Sequence, residues 1–293
     1  TVFVYKSEET RKDNLAGRVP IQIKGTEKVI VSDTASFSCS VADLKNYYKD
    51  GGCVFFLISI DLHSGNSRIF YKTMLVVDLD KIIKGSGKQK TITIHLNLFP
   101  SEANEISSIF MQFTDNVHKQ MGFIGKDIPT FESLEANGAE ITSLTFTASG
   151  IGLTWNDLPK FLSTHDFYLY AKVKGLNIDV PIDKVTKAIV SKPVNGEVRV
   201  KGRRFFPAYR VMYENGKPII RIGKGISISI MAEDNRITVH TDKPDTLSDF
   251  IIETEFFLEL AEQGELTLDG VTLPLNGASL SDLQERKRTL EYC

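Results

Sequence analysis

The sequence predicts an α+β protein in which a mixed-sheet α/β domain at the N-terminal end is followed by a mainly β domain, a sandwich or a barrel with a C-terminal helix and hairpin. Strand and helix patterns alternate over residues 27–128, whereas after residue 137 short strands recur at spacings of about 8–12 residues. The 293 residues are 42% hydrophobic, which is enough for two cores. We therefore expect domains at 1–128 and 129–278, followed by the start of a helical segment at 279–293.

In the first domain, apolar residues at helical spacing predict a short helix within residues 36–50, ended by the two glycines that follow. The continuous apolar run at 54–58 is typical of a central strand that is buried on both faces. A turn at 64–66 then leads into a strand at 68–71, so a hairpin is expected there.

Strict alternation predicts another strand within residues 88–98. The clearest helix follows Pro100, because Ser101 is a suitable N-cap and apolar residues recur at helical spacing until Gly122. The segment from 128 to 138 begins with Ile-Pro and ends with Asn-Gly, which favours a domain boundary.

The second domain is predicted to consist mainly of closely spaced strands. Alternating patterns place them at 141–147, 167–173, 178–182, 188–190, 197–200, 209–213, 219–222, 226–231 and 237–240. Turn signals at Asn195-Gly196, Asn215-Gly216 and Asp234-Asn235 separate several of them. Helices are expected near 155–162 and from about 246 to 263, and Asp269-Gly270 predicts a two-residue hairpin turn.

The composition narrows the class of protein. The formal net charge is −2, and no run of eighteen apolar residues or visible signal peptide occurs, so no membrane association is expected. The three cysteines, Cys39, Cys53 and Cys293, are odd in number and lack paired spacing. This favours reduced thiols in a cytoplasmic protein and suggests no zinc site.

The most informative stretch is a short strand at 18–26 that carries Gln22 and Lys24 two residues apart and then reaches a glycine. Residues i and i+2 of a strand point to the same face, so Gln22 and Lys24 should lie side by side while Ile21 and Ile23 face the other way. A neutral amide oxygen can ligate a divalent cation, and an ammonium beside it can hold an attacking water or offset developing charge. The alternative is an amphipathic edge strand whose solvent-exposed face carries Gln22 and Lys24.

The surrounding segments carry a family resemblance. Val2-Phe3-Val4-Tyr5, residues 19–26, residues 47–56 and Ile69-Phe70-Tyr71-Lys72 together resemble the restriction-endonuclease-like nuclease superfamily. The resemblance is to its bacterial defence-associated branch, where the usual D…(D/E)-x-K signature reads D…Q-x-K, and it covers the chain up to about residue 125. It implies phosphodiester hydrolysis, with Gln22 as metal ligand and Lys24 as charge stabiliser or water holder.

One departure from the family pattern concerns the first metal-binding Asp. In the family this Asp precedes the strand that begins here at Thr1, and no Asp or Glu lies ahead of Val2. The chain begins with Thr1, so we expect it to lack the first motif and the preceding helix. The nearby acids Glu8, Glu9 and Asp13 lie in a polar run that reads as a solvated loop. Magnesium, the expected cofactor, is usually held through at least one carboxylate, so this chain is expected to carry half a site and little activity alone.

The one uneven charge distribution lies in the second domain. Residues 199–224 carry eight basic side chains and the single acid Glu214. Those proposed to contact nucleic acid are Arg199, Lys201, Arg203, Arg204 and Arg210. Phe205, Phe206 and two tyrosines are interleaved with them, a combination that suits phosphate pairing and base stacking. The alternative is that strand alternation places the cations on a solvent face and the aromatics in a core.

Two functions follow from these patterns. The first is a metal-dependent DNA endonuclease of bacterial anti-phage or foreign-DNA defence. The second is a non-catalytic binding or sensor protein whose β-rich domain recognises nucleic acid or a protein partner. DNA is the expected partner, while a homo-oligomer and a protein partner within a defence system remain open. The sequence contains no nucleotide-binding or hydrolase motif such as G-x-x-x-x-G-K-[ST] or G-x-S-x-G.

Overall fold

The structure is a computed structural model that describes residues 1–7, 9–150, 152–186, 188–231, 236–242 and 245–274. It is a mixed α/β protein with about 28% helix and 41% strand. The chain divides into two compact units, residues 1–154 with 166–186 and residues 155–165 with 187–293. Within the described ranges no helix is both long enough and apolar enough to cross a membrane.

The first unit begins with two short strands that form their own sheet. β1 (Val2–Tyr5) pairs antiparallel with β2 (Leu15–Val19), and a turn of 3-10 helix at Lys12–Asn14 lies between them. β3 (Ile21–Thr26) follows immediately but joins a different sheet. Pro20 separates the two strands, because a proline has no N–H for either ladder. The stretch expected to be one strand at 18–26 is therefore broken after Val19.

The central sheet of the first unit has five strands. After β3 come β4 (Thr34–Ser40), β5 (Gly52–Ile60), β6 (Ser67–Leu75) and β7 (Thr91–Leu98). Their spatial order is β3-β5-β6-β7-β4, with β3 parallel to β5 and every other pair antiparallel. This mixed sheet is a half-barrel. β3 and β4 are its two edge strands.

Four α-helices accompany these strands: α1 (Val41–Lys49), α2 (Val76–Gly85), α3 (Ala103–Gln120) and α4 (Phe131–Ala136). The helix expected within 36–50 begins only at Val41, because the residues before it pair with β7. Ser40 is its N-cap, with Oγ accepting from the Asp43 N–H at 3.0 Å. At α3 the expected cap Ser101 is wrong by one residue, since Glu102 occupies the N-cap position. α2 was not predicted.

A three-stranded antiparallel sheet completes the first unit. β8 (Ile141–Phe146), β9 (Phe167–Val173) and β10 (Asp179–Val185) are arranged in the order β10-β9-β8. Tyr168 and Tyr170 of β9 are buried in a core that also contains Phe113 of α3. The sequence assigned these strands to a domain starting at residue 129, whereas contacts group them with the first unit.

Both faces of β5 are buried, as predicted from its apolar run. Phe55 and Leu57 belong to a core that includes Leu44 of α1 and Leu79 of α2. Val54 and Phe56 belong to the second core, on the other face, with Phe113. β5 is thus the strand around which the unit is packed, and β3 lies along its outer side.

The second unit is mainly β with two helices. Its elements are α5 (Leu158–Thr164), β11 (Val190–Val194), β12 (Val198–Val200), β13 (Arg203–Phe206), β14 (Tyr209–Glu214), β15 (Lys217–Ile222), β16 (Ile226–Met231), β17 (Arg236–Thr241), α6 (Leu247–Gln263), β18 (Glu265–Leu268) and β19 (Val271–Pro274). One sheet has the order β11-β14-β15-β16-β17 and the other β13-β12-β18-β19. Phe256, Phe257 and Leu260 of α6 share a core with residues from both sheets.

Most strands of the second unit were predicted, with β13 missed. The hairpin at Asp269-Gly270 is confirmed, since both residues have positive φ, 51° and 81°, as a type I′ turn requires. The predicted turn at Asp234-Asn235 and the helical segment at 279–293 lie outside the described residues.

Candidate functional site

Gln22 and Lys24 lie on one face of the edge strand β3. In the parallel ladder Gln22 is opposite Phe55 and Lys24 is opposite Leu57, which both belong to the core on the α1 and α2 side of the sheet. Ile21 packs against the other core. Gln22 and Lys24 are half-buried, so the strand presents a polar pair at the border of an apolar interior.

The Gln22 side chain interacts with its own strand. Its Nε2 donates to the carbonyl oxygen of Ile23 at 3.2 Å. No described residue donates to its Oε1, which is the atom that a cation would use. The amide is therefore oriented by the backbone, and its oxygen keeps its acceptor capacity.

Lys24 faces the region between the two edge strands. It makes no ion pair with any residue that the structure describes. Burial raises the pKa of the Cys39 thiol, Asp43 raises it further, and the positive charge of Lys24 opposes both. Cys39 is on β4 and Asp43 is in the first turn of α1, so the half-barrel brings these groups near Lys24.

A cleft of about 450 Å³ opens between the two edge strands. Gly25 and Thr26 of β3 line one side, residues 34–37 of β4 line another, and the loop at 28–32 covers one end. Leu57, the residue opposite Lys24, forms part of its wall. Gln22 and Lys24 do not line this cleft themselves, but Lys24 directly precedes Gly25, which does.

The described residues do not fit a complete magnesium site. They contain no group of three or more His, Cys, Asp or Glu side chains that could hold a metal ion. Glu9 and Asp13 are exposed and lie 3.7 and 3.6 Å from Arg11, while Glu8 is outside the described residues. What this part of the chain supplies is one neutral oxygen and one ammonium, without a carboxylate ligand.

Three of the five predicted nucleic-acid contacts are engaged in ion pairs within their own unit. Arg199 lies 2.6 Å from Glu197, and Arg204 lies 3.3 Å from the same carboxylate. Arg203 bridges Glu255 at 2.7 Å and Glu259 at 3.3 Å, both on α6. The charge excess seen in the sequence is therefore largely compensated by acids outside the basic segment.

The remaining two predicted contacts are in different surroundings. Lys201 is exposed in the β12–β13 turn with φ of 46°. Arg210 is exposed on β14 and has no ion pair among the described residues. Phe205 and Phe206 make edge-on contacts with Phe256 at centroid distances of 5.3 and 5.4 Å. The two rings pack against the core, as the alternative interpretation of this segment expected.

A buried charge cluster in the first unit was missed by sequence reasoning. Lys184 Nζ lies 3.1 Å from Asp166 and 3.6 Å from Asp78, and the Tyr168 hydroxyl donates to Asp78. Asp78 also accepts from the Leu75 N–H at 3.0 Å at the start of α2. Because the Lys184 and Asp78 positions are far apart in the sequence, no local motif reveals the cluster. Its contacts connect β10 and β9 to α2.

Comparisons with known proteins supply no relative for this geometry. No protein-family model matches the chain. No curated protein sequence and no solved structure matches it either.

Proposed function

We propose that this chain is the Q-x-K part of a metal-dependent DNA endonuclease of bacterial defence that acts in the cytoplasm. The observation that supports this best is the position of Gln22 and Lys24 on one face of an edge strand, with Lys24 directly before the cleft-lining Gly25. A purely structural pair would have partners, whereas no described residue pairs with Lys24 or donates to the Gln22 Oε1.

The roles of the two residues follow from their chemistry. Magnesium held at a completed site would polarise the scissile phosphate and lower the pKa of a coordinated water. Gln22 offers a neutral oxygen already oriented by its bond to Ile23. Lys24 offers an ammonium without an ion pair among the described residues, and it can hold the attacking water or offset charge developing on the phosphate. The low polarity around Leu57 strengthens that electrostatic effect.

A carboxylate ligand is the component that magnesium usually requires and that the described residues do not group with Gln22. The edge of β3 away from β5 pairs with no strand among the described residues. We propose that a carboxylate brought to this edge completes the metal site.

The test compares residues 1–293 with a longer protein that carries the preceding segment. We expect the shorter chain to leave duplex DNA intact with magnesium and the longer one to cut it. Robust cleavage by the shorter chain would show that the acid comes from within it, for example from Glu8 or Asp13. A longer protein that binds no metal and cuts no DNA over a range of ions would overturn the proposal.

The second candidate is a non-catalytic binding or sensor protein. It is favoured by the lack of any three-ligand cluster among the described residues. In that case the cleft at the end of β3 binds a ligand without cleaving it. A longer protein that binds DNA with unchanged affinity after metal is chelated, and never cleaves it, would favour this second function.

A further inference from the structure

The outward face of the five-stranded sheet in the second unit carries a row of cationic and hydroxyl side chains. In the ladders Arg210 of β14 is opposite Arg221 of β15, Arg221 is opposite Ser227 of β16, and Ser227 is opposite His240 of β17. We call Arg210, Arg221, Ser227 and His240 the arginine row. They occupy one line across four neighbouring strands.

The row points away from the core. Ile222, Ile226, Ile228 and Val239, which neighbour the row along their strands, are buried against α6. Because successive strand residues alternate in direction, the row must face the other way. Arg210 and His240 are indeed exposed, and the Arg221 side chain keeps 38% of its surface accessible.

The pairing of Arg210 with Arg221 is unusual for a sheet that binds nothing. Side chains directly opposite in antiparallel strands have Cβ atoms about 4.5–5.5 Å apart, and like charges there are destabilising. Arg210 has no compensating acid among the described residues. Arg221 donates to the carbonyl oxygen of Lys224 at 3.2 Å, with Asp242 at 3.5 Å. Asp242 therefore compensates Arg221 and also holds His240, so Arg210 is the cation of the row without an acid among the described residues, unlike Arg199, Arg203 and Arg204.

The neighbouring groups suit phosphate oxygens. His240 is held by Asp242, with Nε2 to Oδ1 at 3.1 Å, so its imidazole is positioned at the end of the row. Ser227 contributes a hydroxyl between Arg221 and His240, and Ser229 and Thr238 contribute two more on the same face. Guanidinium and hydroxyl donors are the groups that proteins use most often for phosphate contacts.

The row is long compared with a single anion. Four strands about 4.8 Å apart span roughly 14 Å, whereas duplex DNA presents one phosphate per strand about every 3.4 Å along its axis. We propose that the arginine row binds the phosphate backbone of a nucleic acid, extending over more than one phosphate. This inference rests on DNA being the partner in the proposed function. It places the contact surface on the outward face of the five-stranded sheet of the second unit, and not at the ion-paired arginines of β12 and β13.

The test is DNA binding by residues 1–293, measured by fluorescence anisotropy on a 20-base-pair duplex and on the corresponding single strand, with EDTA present. We compare Arg210→Ala/Arg221→Ala with the matched control Arg203→Ala/Arg204→Ala, which removes the same charge from two arginines that are both ion-paired, whereas of the two row arginines only Arg221 has a described acid. The row variant should weaken duplex binding by about tenfold or more, because charge-assisted hydrogen bonds are lost. Its log–log salt slope should become shallower by about 0.9 per lost phosphate contact, with no change in sequence preference.

The control variant should retain most of its affinity. Equal losses in both variants, or an unchanged affinity in a row variant that melts like the wild type, would overturn the inference. If the row variant melts early, Arg210→Gln alone replaces it, since Arg210 is exposed. Inorganic phosphate that binds at the row while DNA does not would also overturn it in favour of a single-anion site. Chelation separates this test from the nuclease proposal, because cleavage by the longer protein can fail while binding through the row persists.

Discussion

Lys184 and Asp78 form an ion pair that is largely removed from solvent, with Nζ 3.6 Å from Oδ1 and side-chain exposures of 13% and 10%. Asp166 lies 3.1 Å from the same ammonium, and the carbonyl oxygen of Thr73 accepts from it at 3.4 Å. Asp78 at the same time caps α2 through the Leu75 N–H. The pair therefore ties β10 to the start of a helix that packs on the central sheet.

The first prediction is that Lys184→Ala is strongly destabilising. Removing the ammonium leaves Asp78 buried without its counter-charge, which typically costs about 3–5 kcal/mol. The control is Lys81→Ala, which removes a lysine 2.8 Å from Asp183 at an exposed site. Urea unfolding of the two variants measures the loss of stability in each. Loss of the Lys81–Asp183 ion pair should lower the free energy of unfolding by about 1 kcal/mol or less. Similar losses in the two variants would contradict the assignment of a buried, structural pair.

The second prediction concerns alkaline stability. Burial lowers the pKa of Lys184, but the carboxylates of Asp78 and Asp166 outweigh it and raise the pKa overall. Burial, reinforced by Asp78, holds the pKa of Tyr168 well above 10.0. Above the ordinary pKa values of lysine and tyrosine, the unfolded chain loses protons that Lys184 and Tyr168 retain in the folded chain. The free energy of unfolding should therefore fall as pH rises beyond about 10.

Tyr168→Phe tests this directly. The variant removes one of the two groups, so its unfolding free energy should decline less steeply with pH above about 10 than that of the wild type. Tyr5→Phe is the control, because Tyr5 shows no comparable burial. Denaturant unfolding at several pH values gives the slopes. Identical slopes for Tyr168→Phe and the wild type would contradict the prediction.

The third prediction concerns Lys24. In the longer protein, Lys24→Ala should abolish DNA cleavage while melting remains near that of the wild type, because the change removes a charge acting on the transition state and no fully buried volume. Lys28→Ala is the matched control, since Lys28 is an exposed lysine that lines the neighbouring cleft. Parallel losses of stability and activity in Lys24→Ala would instead indicate a structural lysine.

Local sequence patterns predicted the individual strands and helices better than they predicted which of these elements form one unit. The apolar run at 54–58 predicted a central strand because burial on both faces requires apolar side chains at every position. The helix expected within 36–50 started too early because Ser36 and Ser38 are compatible with either structure, and only pairing with β7 decides between them. The division after residue 128 was expected from a local Ile-Pro signal, whereas tertiary contacts of β8, β9 and β10 determine the unit.

In the candidate site too, the sequence predicted neighbours on one strand but not contacts between distant segments. Strand alternation was sufficient to place Gln22 and Lys24 together, because both lie on one short strand. The compensation of Arg203 by Glu255 and Glu259 could not be read from the sequence, since those acids come from a helix some fifty residues later. Charge counts in a segment therefore say little about free charge until the facing elements are known.

The fourth prediction uses the turn at Gly225 between β15 and β16. A methyl group there would lie 2.6 Å from the carbonyl oxygen of Asp242 and 2.7 Å from Glu253 Oε2, so Gly225→Ala requires the backbone to move. Gly202→Ala is the control, because Gly202 has φ of 78° but open space around it and should cost only about 1–2 kcal/mol of conformational strain. Thermal unfolding should show the larger loss for Gly225→Ala. A smaller loss there than at Gly202 would contradict the close packing of this turn.

The last prediction concerns Glu253, which is 1% exposed on α6. Its Oε1 accepts from the Lys224 N–H at 2.6 Å and from the Gly225 N–H at 3.1 Å, while Oε2 is buried and has no hydrogen-bond partner among the described residues. Oε1 thus links the turn between β15 and β16 to α6 by two hydrogen bonds, whereas no described group donates to Oε2. An acceptor, the carbonyl oxygen of Asp242, lies on the same side of Gly225 as Oε2.

Glu253→Gln should therefore be tolerated. The amide keeps one oxygen for the two N–H groups and places donor hydrogens where Oε2 has none, so its stability should stay within about 1 kcal/mol of the wild type. Glu253→Ala leaves both N–H groups unpaired and creates a cavity, so it should lose at least about 2–3 kcal/mol. Urea unfolding of the two variants, with amide exchange at Lys224 and Gly225, measures the difference. If Gln destabilises as much as Ala, the carboxylate charge itself is required, and the turn is held by charge-assisted bonds that a neutral oxygen cannot replace.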